Sequence, residues 1–167
     1  MSNMKTKSSL LLSLNLFALI PAALLGGCSS PREPVTRTTI ANPRAVHSEV
    51  VTVARELIGT PYHYGGETPK QGFDCSGLVY YSHLEAGVRL PRTSYGQFKA
   101  TQPVSLRHLH PGDLVFFTLS RHKINHVGIY IGNHAFIHAP SSGKEVTIDQ
   151  LTDPYWQRRF VRGGRIL

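Results

Sequence analysis

Cysteine is nearly absent from this chain: two residues, Cys28 and Cys75, in 167. A disulfide framework is thereby excluded. Acidic residues are also scarce, 10 against 18 Lys+Arg, for a formal charge of +8. That balance suits an anionic partner, such as nucleic acid, acidic lipid or an acidic polymer. Arg158, Arg159, Arg162 and Arg165 form the one basic cluster, which reads as a solvated face. No internal repeat and no second domain can be discerned. The only long apolar run, "LLLSLNLFALIPAALLGGC", is interrupted by Ser13, Asn15 and Pro21, which argues against a permanent membrane span. The hydrophobic fraction, 41%, is ample for one core.

The apolar run follows Lys5 and Lys7 and ends in small residues, the order of a secretory signal peptide. "LGGC" resembles the bacterial lipobox, in which cleavage leaves the cysteine as the first residue. The resemblance implies a signal peptide over residues 1–27, a diacylglyceryl thioether on Cys28 and an acylated amine, and so a lipid anchor in the membrane. Ordinary secretion is the alternative. Removal of the segment, which carries two lysines and no acid, lowers the charge from +8 to about +6. Export argues against nucleic acid as partner. Residues 28–46, rich in Pro, Ser, Thr and Arg, read as a flexible tether, leaving one domain over residues 47–167.

Within that domain "SEVVTVARELIG" has helical spacing, with Ser48 as N-cap and Gly59 as stop. "TPYHYGGETPKQG" reads as loop. "DCSGLVYYSHLEAG" reads as a helix capped by Asp74 and ended by Gly87, and "SYGQFKA" as a short helix. After "HPGD" come β-type runs: "LVFFTL", "HVGIYIG", "AFIHA", "EVTI" and a final "RRFVRGGRIL". Helices first and strands after predict an α+β fold.

Once Cys28 is alkylated, Cys75 has no disulfide partner, so it is an intermolecular bridge, an inert buried residue or a working thiol. Its place in the first turn after Asp74 favours the last, because helix N-terminal amides stabilise a thiolate. The Asp74 charge opposes this unless it is spent on the cap. Of nine histidines, seven (His47, His63, His83, His108, His110, His122, His134) read as loop or surface. His126 opens the strand "HVGIYIG" and His138 ends "AFIHA", at the open end of one hairpin. A two-residue turn at Gly132-Asn133 would put them on opposite faces. A three-residue loop, Ile131 to Asn133, pairs His126 with His138, and the hairpin therefore needs an odd loop or a bulge if the two cooperate.

"GTPYHYGG", "GFDCSGLV", "LPRTSYGQ", "PGDLVFF", "HVGIYIG", "AFIHA" and "YWQRRF" occur in the order of the NlpC-type family, which the chain resembles from about Val50 to its end. These are papain-like cysteine peptidases of the bacterial cell wall. The resemblance implies N-terminal helices packed on a small antiparallel sheet of about five strands. It implies Cys75 as nucleophile, His126 as general base and later acid, and His138 as the residue that orients His126. Tyr62 matches a tyrosine by the family's active site, while Asp74 and Ser76 match positions that contact peptide in some members. The implied reaction is peptidoglycan endopeptidase chemistry on stem peptides, at D-γ-glutamyl–diaminopimelate or at the D-Ala–diaminopimelate cross-link, with no cofactor. Ser29, with no Asp after Cys28, suggests the outer membrane of a diderm. Three other readings are a catalytically inactive wall-binding lipoprotein, an acyltransferase and a zinc site on Cys75 and the histidines; the last lacks close ligand spacing.

Overall fold

A computed structural model describes residues 42–120 and 123–166. The signal peptide, Cys28, the tether up to residue 41 and His122 lie outside the described residues. Among the latter no helix is long and apolar enough to cross a membrane.

Helix α1 spans Pro43–Glu56, so it begins inside the expected tether. Asn42, not Ser48, is its N-cap, accepting from the Arg44 amide at 3.1 Å. Pro43 at the first helical position explains the early start, since proline there loses no hydrogen bond and its φ suits the helix. The expected loop then folds a small hairpin, β1 (Glu67–Thr68) and β2 (Gly72–Phe73), which feeds α2 (Cys75–Glu85). Helix α3 (Ser94–Ala100) follows.

Among the described residues the main sheet is antiparallel and has six strands, one beyond the five β-type runs of the sequence. Its order is β3 (Gln102–Val104), β8 (Phe160–Arg165), β4 (Leu114–Phe117), β5 (His126–Gly132), β6 (Ala135–His138), β7 (Thr147–Gln150). The additional strand is β3, three residues at the sheet edge and containing Pro103, a residue that an edge tolerates and a central strand does not. A short helix α4 (Pro154–Gln157) precedes β8. Strand β7 lies two residues later than "EVTI".

Both faces of the sheet are covered, which is why β4 and β6 are buried at every position. On one face Val50, Ala54, Leu78 and Val79 of α1 and α2 pack on Leu114, Phe116, Val127, Ile129 and Ile137. On the other, Val115, Phe117, Tyr130 and Phe136 meet Leu109, Leu151 and Trp156. The C-terminal arginines are only partly a solvated face. Arg165 forks onto Asp113 at 2.8 and 2.7 Å, and Arg162 lies 3.9 Å over the Phe98 ring.

His83 departs from the loop-or-surface reading: it lies in α2 and is 1% exposed. Its Nδ1 is 2.8 Å from the Val79 carbonyl, to which it donates, and Nε2 has no partner among the described residues. Burial, and secondly the charge of His47, lower its pKa to about 4 (the Val79 bond opposes this). Between that value and the ordinary 6.5 the unfolded chain binds the proton and the folded chain does not. Stability is therefore full above pH 6.5 and falls as the pH drops towards 4, by an amount on the order of 3 kcal/mol. Urea unfolding at pH 7 and pH 4.5 will show this loss, and His83→Met will reduce it.

Candidate active site

Asp74 starts the site. It caps α2 by accepting from the Gly77 amide at 2.6 Å, and its carboxylate also takes the Ser76 hydroxyl at 3.1 Å and the Gly65 amide at 3.0 Å. Arg92 forks onto both carboxylate oxygens at 2.9 Å and onto Glu67 at 2.7 Å. Burial pushes the Asp74 carboxyl upward, but the Arg92 hydrogen bonds, the Gly77 amide and the Ser76 hydroxyl outweigh it and hold it below its ordinary value. Gln97, fully buried, donates to the Ser76 and Pro91 carbonyls and ties α3 to the start of α2.

Cys75 occupies the first position of α2 and is a free cysteine, partly exposed. Its setting opposes the expected thiolate. Burial first, then the Asp74 charge, push the thiol up to about 11, against backbone amides of Val127, Ser76 and Cys75 that pull it down. The helix start thus acts in the expected direction, but a dry setting outweighs it. Cys75 opens on a cleft of about 580 Å³ whose walls include Tyr62, Tyr64, Asp74, Ser76 and Arg92. Tyr62 has its hydroxyl pKa raised by burial and by the charges of Cys75 and Asp74.

Val127, whose amide lowers the Cys75 pKa, is the residue after His126. His126 and His138, 2% and 0% exposed, face the same side of the sheet, with His126 Nε2 2.8 Å from His138 Nδ1. The register that achieves this contains the expected irregularity in another form. Tyr130 pairs with Phe136 and Gly132 with Ala135, so Ile131 is the extra residue of a bulge. The turn is Asn133-His134, both with positive φ, rather than a three-residue loop. Continued beyond Ile129–Ile137, this register sets His138 opposite Gly128, and the two imidazoles meet diagonally instead of face to face. Gly128 leaves the space for it, since a Cβ there would come within 2.6 Å of Phe136 and 3.3 Å of His138.

Trp156 stacks on His126 (5.5 Å, 22°) and meets His138 edge-on (4.9 Å). Burial, and secondly the proximity of His138, lower His126 to about 3, so it is a neutral imidazole at physiological pH. The two ring nitrogens point at each other, closer than the roughly 3.3 Å between two nitrogens on one tetrahedral zinc. That arrangement disfavours the zinc reading.

Three neighbours were not assigned a role from sequence. Arg92 lies in the quoted "LPRTSYGQ", Trp156 in "YWQRRF" and Asp149 in β7. Asp149 Oδ2 is 3.0 Å from His138 Nε2 and accepts from Trp156 Nε1 at 2.9 Å. Strand alternation would have revealed Asp149 only with the β6–β7 register, in which it pairs with Phe136, on the face of His138.

Residues 59–165 match the NlpC/P60 family. The chain belongs to that family. It is 44% identical to the murein DD-endopeptidase MepH of Escherichia coli K12, over 67% of this chain and 43% of MepH. To the bifunctional muramidase/DL-endopeptidase CwlT of Bacillus subtilis it is 43% identical, over 69% of this chain and 36% of CwlT. The chain spans less than half the length of the first curated relatives it matches. Among solved structures, the peptidoglycan hydrolase RipB of Mycobacterium tuberculosis superposes with a TM-score of 0.66 at 30% identity, over 77% of this chain and 68% of RipB. The NlpC/P60 domain is a papain-like α+β fold, as the motif order implies.

Proposed function

We propose that this NlpC/P60 protein is a peptidoglycan endopeptidase that hydrolyses stem-peptide amide bonds through an acyl-enzyme on Cys75. The observation that carries the reading is the free Cys75 at the N-terminus of α2, open on a cleft, together with the buried, hydrogen-bonded His126–His138 pair of β5 and β6.

His126 is the general base. Its Nε2 is committed to His138, which leaves Nδ1 to take the Cys75 proton. His126 Nδ1 takes the Cys75 proton, and sulfur attacks the carbonyl carbon. The first amides of α2 have no carbonyl a turn behind them and can bind the oxyanion, together with the Tyr62 hydroxyl. One such donor is worth about 3 kcal/mol. His126 returns the proton to the leaving amine, and water then releases the acyl group. Asp74 and Ser76, fixed by Arg92, shape the acyl side of the cleft.

The bond is D-γ-glutamyl–diaminopimelate or the D-Ala–diaminopimelate cross-link; relatives are named for each class, MepH as a DD-endopeptidase and CwlT as a DL-endopeptidase. The location is the cell envelope, with a lipid on Cys28 holding the domain at the periplasmic face of the outer membrane. A net positive chain suits the anionic wall polymer. The test is a digest of purified muropeptides with the full chain in detergent, read by mass spectrometry. Dimers split into monomers identify the cross-link; shortened stems identify the γ-glutamyl bond. Unchanged muropeptides, with Cys75 still open to iodoacetamide, would sink the proposal and favour a wall-binding protein.

A further inference from the structure

We infer that Asp149 is a positioning residue: it sets the proton positions on both histidines and pairs with the positive charge as that charge passes from His126 to His138. The inference rests on the reading of Cys75 and His126 given above.

With both histidines neutral, hydrogen-bond chemistry leaves one consistent arrangement. An ionised carboxylate only accepts. Asp149 stays ionised, because the His138 hydrogen bond lowers its pKa more than burial raises it, with help from Trp156 and the Lys144 charge. His138 Nε2, 3.0 Å away, must therefore carry a proton. Neutral His138 then has a bare Nδ1, which must accept from His126 Nε2–H at 2.8 Å. Neutral His126 is left with a bare Nδ1, the tautomer able to act as base. The opposite arrangement would set a lone pair of His138 against Asp149 and a proton on His126 where the base must be. Trp156 locks the device from outside, since its Nε1–H holds Asp149 Oδ2 while its ring packs on both imidazoles.

The same line carries charge. As the Cys75 S–H bond breaks, its electron pair stays on sulfur and forms the bond to the carbonyl carbon, and its proton goes to His126 Nδ1. The Nε2 proton of His126 passes to His138 Nδ1. His126 is again neutral, and the cation lies on His138 beside Asp149. Asp149 itself takes no proton. When the amine leaves, the His126 Nδ1 proton goes to its nitrogen and the His138 Nδ1 proton returns to His126 Nε2. A buried imidazolium beside a neutral ring alone would be poorly stabilised, and the carboxylate one ring further on supplies what the His–His pair lacks.

The test needs no peptide substrate. Iodoacetamide labelling of Cys75 in the full chain, followed by mass spectrometry of the Cys75 peptide, gives the thiol's reactivity against pH. Asp149→Asn keeps an oxygen for both donors but removes the charge. Labelling at pH 7 is expected to drop about tenfold, and the two profiles to converge above pH 11, where the thiol ionises unaided. Asp149→Glu should restore part of the loss. Superimposable profiles, or a loss uniform at every pH, would overturn the inference. If Asp149→Asn does not fold, 15N NMR of the wild-type histidines decides: a His138 proton on Nε2 upholds the arrangement and one on Nδ1 overturns it. Failure of the muropeptide digest leaves this labelling result intact, so the two proposals fail separately.

Discussion

Cys75→Ala will abolish stem-peptide hydrolysis, lowering kcat by on the order of 10^6, the scale seen when a hydrolase loses its nucleophile. The fold should barely respond. Asp74 caps α2 through the Gly77 amide, and Arg92 and Gln97 hold that turn, none of them through the thiol. Cys75 only borders the core and keeps part of its surface open. Alanine is the better helix former and carries no ionisable group next to Asp74, so the melting temperature should stay within about 2 °C. Cys75→Ser should resemble alanine in rate, because a hydroxyl needs a stronger base than a histidine whose pKa burial has lowered to about 3. Steady-state release of cleaved stem peptide, measured beside a calorimetric melt, checks both halves. A Cys75→Ala protein within tenfold of wild type would remove Cys75 from the reaction; a folded but inactive one leaves it as nucleophile.

Sequence reading succeeded where burial is continuous and failed where it is long-range. "LVFF" and "HVGIYIG" are unmistakable strands, because a sheet covered on both faces demands near-unbroken apolar runs. The capped start of α2 was equally legible, as Asp74 is a strong N-cap and its side chain performs that task. Strand β3 was not: three residues including Pro103 carry no period, and only pairing with β8 makes them a strand. His83 was misassigned because the stripe that carries it, Ser76, Val79, Ser82 and His83, is largely polar yet buried, so polarity there does not mark exposure. The histidine pair was legible as a demand for an odd register; whether loop or bulge supplied it was not. Helix position spoke for a thiolate at Cys75, yet the opposing desolvation comes from burial of the thiol, which the local sequence does not display. Asp149 is another non-local case, placed by the β6–β7 pairing and by Trp156.

The second large effect is at Gly77, where a conservative substitution should reverse its usual sign. Glycine to alanine inside a helix ordinarily stabilises by about 0.5–1 kcal/mol. Gly77 lies in the first turn of α2, buried, and an added Cβ would overlap the Gly66 carbonyl oxygen and come to 2.9 Å from Arg92 Nη2. That carbonyl cannot swing aside at low cost: it accepts from Arg92 at 3.0 Å and from the Asp74 amide at 3.1 Å. Nor can α2 back away, because Gln97 is bonded to the Ser76 carbonyl and the Gly77 amide is bonded to Asp74. Relief must break the network that holds Asp74, Ser76 and Arg92 together beside the thiol. Gly77→Ala should lower stability by about 3 kcal/mol, or about 10 °C in melting temperature. Displacement of Cys75 by on the order of 1 Å should lower the hydrolytic rate about 100-fold in whatever protein remains folded. Calorimetry and a rate measured well below the melting point separate the two losses. A Gly77→Ala protein that melts at or above the wild-type temperature would mean that α2 does not rest on the Gly66 turn, and the close approach on which this site is built would be wrong.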